Sequence, residues 1–72
     1  MQNYERLKEQ RKLNKYSQTE IAAYLETKQT VYARYERNVN IIPTKHIIKL
    51  CKLYNISADY LLCLIDEKRP LY

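Results

Sequence analysis

Apolar residues recur along this chain at helical spacing, in short runs separated by polar corners. From residue 3 to about 13, charged residues and good helix formers surround only Tyr4, Leu7 and Leu13, which predicts a first helix with a thin buried stripe. Ser17-Gln18-Thr19-Glu20 follows, in which the Ser17 hydroxyl can accept from the Glu20 amide while the Ser17 amide donates to the Glu20 carboxylate. This capping box predicts a second helix from residue 18, with Ile21, Ala22 and Leu25 on its inward face. The period breaks at Glu26-Thr27 and resumes with Val31, Tyr32 and Tyr35, predicting a third helix over about 29–37. Asn38 is its expected stop, since asparagine tolerates the left-handed conformation in which many helices end. Residues 39–43 read as a loop that brings Pro43 to the threshold of the next helix. Ile47, Leu50, Cys51 and Tyr54, at i, i+3, i+4 and i+7, mark a fourth helix. Asn55-Ile56 then forms a corner, Ser57 a cap, and Ala58 to Ile65 a fifth helix carrying Leu61, Leu62 and Ile65.

Composition narrows the fold class to all-α. The chain has no glycine and two prolines, whereas β-rich folds depend on turns with positive φ. Seventy-two residues make one domain, read as residues 1–65 followed by a charged tail over 66–72, with no room for a separate sensor domain. Thirteen Lys and Arg against eight Asp and Glu give a net charge of +5, which favours polyanionic partners. No apolar run is long enough for a membrane span, and MQNYERLKEQ is too polar for a signal peptide, so a cytoplasmic protein is expected. Cys51 and Cys63 form no CxxC pair and have only His46 as a nearby nitrogen ligand in type, so neither a metal site nor any other cofactor is expected.

Five short helices with a tight corner between the second and third follow the order of phage-repressor helix-turn-helix domains. Four strings strengthen the likeness: Leu7-Lys8-Glu9-Gln10-Arg11, Ser17-Gln18-Thr19-Glu20-Ile21-Ala22, Tyr32-Ala33-Arg34-Tyr35-Glu36-Arg37-Asn38, and Asn55-Ile56-Ser57-Ala58-Asp59-Tyr60-Leu61-Leu62. In this order and spacing the chain resembles the XRE family of lambda-repressor-like regulators from about residue 4 to residue 64. The resemblance implies a compact five-helix domain that places its third helix in the major groove of double-stranded DNA.

With Tyr32 and Tyr35 turned inward, Gln29, Thr30, Ala33 and Arg34 share the outward face of the third helix. A solvated face would carry such residues too. Their chemistry also suits base edges, because Gln pairs with adenine, Arg with guanine, and the Thr and Ala methyls meet the thymine methyl; the resemblance favours this second role. Gln18 opens the second helix and Lys28 precedes the third, where helix amides and dipole favour a phosphate. Arg37 and Asn38 are phosphate candidates by resemblance, and Lys45 is a further one. Lys45, Lys49 and Lys52 fit equally well as ordinary solvated charges. The family resemblance also implies an ion pair between Arg11 and Glu36, linking the first and third helices.

The chain departs from the family at three corners where glycine is common, carrying Lys15, Glu26 and Asn38 instead. In a left-handed conformation Lys15 and Glu26 would each cost about 1–2 kcal/mol. Lys28 also replaces the small hydroxyl residue usual before the recognition helix.

An enzyme is disfavoured by a single histidine, the lack of a phosphate loop or nucleophile motif, and small volume. A membrane-surface helix lacks the needed segregation of aromatic and basic residues. The stronger rival is a protein-interaction module, such as an antitoxin or anti-repressor partner, docking through Leu64, Ile65, Leu71 and Tyr72. For the DNA-binding reading, Leu61, Leu64 and Ile65 suggest a homodimer interface on the last helix, unless Leu64, Ile65, Leu71 and Tyr72 fold back onto the subunit.

Overall fold

The computed structural model describes residues 2–71, and Tyr72 of the expected docking strip lies outside them. Five helices follow in order: α1 (Asn3–Leu13), α2 (Gln18–Tyr24), α3 (Gln29–Glu36), α4 (Thr44–Tyr54) and α5 (Ala58–Leu61), with no strand among the described residues. The all-α, five-helix architecture expected from the pattern is the one observed. No helix among these residues is long and apolar enough to cross a membrane, and no His, Cys, Asp and Glu cluster could hold a metal.

Local chemistry starts the helices where the sequence places them. Ser17 Oγ accepts from the Glu20 amide at 3.0 Å and the Ser17 amide donates to Glu20 Oε1 at 2.9 Å, closing the capping box of α2. Ser57 Oγ caps α5 by accepting from the Tyr60 amide at 3.2 Å. Pro43 occupies the N-cap position of α4, where its missing N–H costs nothing.

Helix ends are where this chain is unusual. Lys15, Glu26, Asn38 and Cys63 have φ of 60°, 59°, 59° and 64°, each one residue past a helix cap. In all four, two backward amide bonds take up the last carbonyls: Tyr16 to Arg11 and Lys15 to Lys12, Thr27 to Ala22 and Glu26 to Ala23, Val39 to Arg34 and Asn38 to Tyr35, Leu64 to Asp59 and Cys63 to Tyr60. These are four Schellman closures, a motif normally built on glycine, made here without one. Asn55, at φ 51°, turns the chain from α4 to α5.

Leu7, Ile21, Ala22, Leu25, Tyr32, Tyr35, Ile47, Leu50, Cys51, Tyr54 and Leu61 form the core with Ile42, Ile56 and Tyr60. Helix α3 packs most extensively on α2 and also on α1, while α5 bridges α4 and α1. On α1 the inward stripe is largely polar. Leu7 is buried but Leu13 is exposed, and the face is completed by Arg6, Gln10 and Arg11. Arg6 Nη1 donates to the Tyr60 and Ile65 carbonyls at 2.5 and 2.7 Å, and its guanidinium lies 4.0 Å from the centre of the Tyr60 ring. Arg6 thereby clasps α1 to the end of α5.

Two expectations about the C-terminal end need correction. The fifth helix stops at Leu61, four residues early, because Cys63 turns left-handed and Arg6 takes the carbonyls of Tyr60 and Ile65. Leu61 is 1% exposed within its own subunit, so it belongs to the core and offers nothing to a dimer surface. Ile65 and Leu71 pack against the core, and Leu64, 71% exposed, is left as the apolar side chain of the expected interface that faces outward. The tail returns to the body, with Ser57 N donating to Arg69 O at 2.8 Å and Leu71 N to Asn55 Oδ1 at 3.3 Å.

Candidate nucleic-acid interface

The geometry of α3 follows from its two tyrosines. Tyr32 and Tyr35 are buried with their rings edge to face at 6.2 Å, which fixes the rotation of the helix about its axis. Gln29, Thr30 and Arg34 consequently stand exposed on the opposite face, with Ala33 partly covered among them. Lys28, the N-cap residue, is exposed and makes no side-chain cap bond. Arg37 and Asn38 are exposed just past the other end of α3, and Lys45 is exposed in the first turn of α4. Base-reading and cationic candidates thus lie on and around one helix.

Beneath this surface Arg11 and Glu36 make the ion pair expected between the first and third helices. Arg11 Nε and Nη2 donate to Glu36 Oε2 and Oε1 at 2.7 and 3.1 Å, a bidentate arrangement, and Nη1 donates to the Tyr16 carbonyl at 2.9 Å. The Glu36 side chain is 2% exposed. Burial pushes its carboxyl up, but hydrogen bonds from Arg11 and the groups around it outweigh this and hold it below the ordinary carboxylate value. Burial, and after it the same carboxylate, raise the pKa of the neighbouring Tyr32 phenol.

Gln18 is more occupied than its place at the start of α2 suggests. Its Nε2 donates to Glu36 Oε1 at 3.1 Å, and its Oε1 accepts from Gln29 Nε2 at 2.8 Å. A continuous polar chain therefore runs from Arg11 through Glu36 and Gln18 to Gln29 on the exposed face. The family resemblance implies the Arg11–Glu36 pair, and helix position points to Gln18 and Gln29, but nothing local in the sequence joins the pair to the two glutamines, because the contacts span three helices.

Charge is asymmetric around the site. Lys28, Arg34, Arg37, Lys45, Lys49 and Lys52 are the basic residues between positions 27 and 52, Glu36 is the acidic one, and Arg11 already neutralises it. Tyr24 ties α2 to α4, its hydroxyl donating to the Lys49 carbonyl at 3.2 Å. His46, buried on α4, stacks obliquely on Tyr35 at 6.0 Å between ring centres. Burial and the adjacent Lys45 and Lys49 lower the basicity of its imidazole. Neither His46 nor Arg6 was singled out by the sequence pattern; both are polar residues at inward helical positions, which hydrophobic periodicity passes over.

Two packed helices joined at the Glu26 corner, the second presenting a polar outer face, define the helix-turn-helix class. A family model described as helix-turn-helix matches residues 7–61, and the chain belongs to that family, in its XRE type. The chain is 42% identical over 57 residues to the HTH-type transcriptional regulator ImmR of Bacillus subtilis (strain 168), covering 79% of this chain and 45% of that protein. It is 30% identical over 66 residues to the uncharacterized HTH-type transcriptional regulator YobD of the same organism, covering 92% of this chain and 59% of that one. The chain spans about half the length of these curated relatives. No solved structure matches the chain significantly.

Proposed function

We propose that this protein is a cytoplasmic, non-enzymatic transcriptional regulator, acting as a repressor, that binds double-stranded DNA sequence-specifically with α3 in the major groove. The observation that carries this reading is the exposed Gln29, Thr30 and Arg34 face of α3, rotated outward by two buried tyrosines and flanked by exposed Lys28, Arg37 and Lys45. Arg34 is suited to guanine O6 and N7, Gln29 to adenine N6 and N7, and Thr30 and Ala33 to thymine methyls. Lys28, Arg37, Asn38 and Lys45 contact phosphates. Gln18 adds the N–H of its amide that Glu36 does not use. Transcriptional regulation by its relatives points the same way.

A single α3 reads few base pairs, so two chains on an inverted repeat, with half-sites about 34 Å apart, supply the specificity that one lacks. Exposed Leu64 is the centre of the self-association surface in this reading. Selection of bound sequences from a random duplex pool, followed by affinity measurements across a salt series, tests the function. A recurring motif with inverted symmetry, bound with affinity that falls steeply as salt rises, is the expected result. Failure to enrich any sequence, with binding to a protein partner that salt leaves unchanged, would replace this reading with that of an interaction module.

A further inference from the structure

We propose that residues 39–41, between α3 and α4, form an apolar wedge that enters the minor groove beside the half-site, where Ile41, supported by Val39, slips between two stacked base pairs and bends the duplex. This rests on the reading of α3 as the helix that occupies the major groove.

Ile41 is 88% exposed, more than any other large apolar side chain among the described residues, and Val39 is 62% exposed. Water is an unfavourable place for either, yet the fold holds them there. Val39 N and Asn40 N both donate to the Arg34 carbonyl, at 2.9 and 3.3 Å, at the Schellman closure of α3. On the other side Ile42 is buried in the core and Pro43 occupies the N-cap of α4. Ile41 stands between a closed helix end and a buried anchor, so little backbone freedom is left to lose when a partner covers it.

Charge identifies the partner. No aspartate or glutamate occurs between Glu36 and Asp59, whereas Arg37, Lys45, Lys49 and Lys52 all lie there, and Arg37 and Lys45 are exposed on either side of the loop. Exposed Leu64, by contrast, is followed at once by Ile65, Asp66 and Glu67. An apolar tip flanked by cations alone suits a polyanion with apolar surface beneath its phosphates, which the base stack offers once a step is opened. Position selects the groove. With Arg37 and Asn38 on phosphates of a strand bordering the major groove, residues 39–41 come directly after them, and across that strand lies the minor groove. Branched aliphatic side chains serve there as wedges. Pyrimidine–purine steps such as TpA unstack easily and A-tracts resist, so the wedge adds a sequence preference at a step whose base edges the protein does not read.

The test uses the duplex selected by the full chain, with TpA or ApA placed in turn at each step flanking the half-site and 2-aminopurine as the adenine. Wild type should bend the duplex by roughly 20° or more, read by energy transfer between labelled ends, and raise 2-aminopurine emission at one step. It should bind TpA there roughly tenfold more tightly than ApA. Ile41→Ala should abolish all three effects while keeping discrimination within the half-site, and should melt like wild type because Ile41 lies outside the core. Bending, emission and TpA preference unchanged in Ile41→Ala, or a duplex left straight by wild type, overturn the wedge and leave the reading of α3 standing. Binding to phosphatidylserine vesicles that Ile41→Ala abolishes, with duplex behaviour unaltered, overturns it in favour of a lipid surface. Failure to select any duplex removes the wedge and the reading of α3 together.

Discussion

Glu26→Gly should stabilise the domain although it removes a side chain and adds no contact. Glu26 sits at φ 59° in the corner between α2 and α3. Holding an L-residue there costs about 1–2 kcal/mol through the clash of Cβ with the backbone. Glycine avoids the clash but has more freedom to lose from the unfolded chain, worth about 0.5–1 kcal/mol, so the net gain is about 0.5–1 kcal/mol. With an unfolding entropy near 2.1 cal/mol/K per residue, this corresponds to a rise in melting temperature of roughly 3–7 °C for a domain of this size. Thermal unfolding followed by circular dichroism at low protein concentration measures it. Glu26→Ala keeps the Cβ and separates backbone strain from lost charge, so it should melt close to wild type. Lys15→Gly should gain a similar amount, and Asn38→Gly much less, since asparagine already tolerates the left-handed region. Equal melting temperatures for Glu26→Gly and Glu26→Ala would refute the strain argument.

The Arg11–Glu36 pair gives a prediction of opposite sign. Glu36→Ala leaves a buried guanidinium with the Tyr16 carbonyl as its remaining partner and should cost about 3–5 kcal/mol, whereas Arg11→Met with Glu36→Leu should recover most of that, as read by urea unfolding. Acid should weaken the fold in two stages. His46 and Glu36 both have folded values below their unfolded ones, so the unfolded chain takes up each proton first and stability falls as pH drops. The decline starts below about pH 6.5 with His46 and continues below about pH 4.3 with Glu36; His46→Phe should remove the upper stage in a pH series of melting temperatures, and an unchanged profile would exclude His46 as its source. Removing a phosphate contact with Lys28→Ala or Arg37→Ala should weaken binding to all duplexes and lower the slope of log affinity against log salt by about one; a residue whose loss leaves the slope unchanged is not a phosphate contact.

Much of this architecture is visible in one sequence because its signals are local. The Ser17 to Glu20 capping box, the inward Tyr32 and Tyr35 and the i, i+3, i+4, i+7 run of α4 depend on neighbours within two turns, and each forms where the pattern puts it. The end of α5 was harder to see. Leu61, Leu62 and Ile65 continue a helical period, but Ile65 reaches the core through a left-handed corner at Cys63, and no glycine marks that corner. Arg6 explains the rest: the residue that takes up the Tyr60 and Ile65 carbonyls lies more than fifty positions away in the sequence. The same limit applies to the interface. Helical geometry separates Gln29 and Arg34 from the buried tyrosines, yet the linkage of Gln29 to Gln18 and Glu36 emerges only when three helices are packed. That Leu61 lies in the core rather than at a surface is hidden for a related reason, since an apolar residue on a terminal helix looks the same in sequence whether its own core or a partner covers it.

The central claim is that the outward face of α3 reads bases, and Arg34 tests it most directly. Once a preferred duplex has been selected, wild type and Arg34→Ala should be titrated against it and against every single base-pair variant of one half-site. Arg34→Ala should lose about 1–3 kcal/mol on the preferred duplex and lose discrimination at one G·C pair while keeping it elsewhere. Equal weakening on every duplex, with all base preferences intact, would contradict it and make Arg34 a phosphate contact.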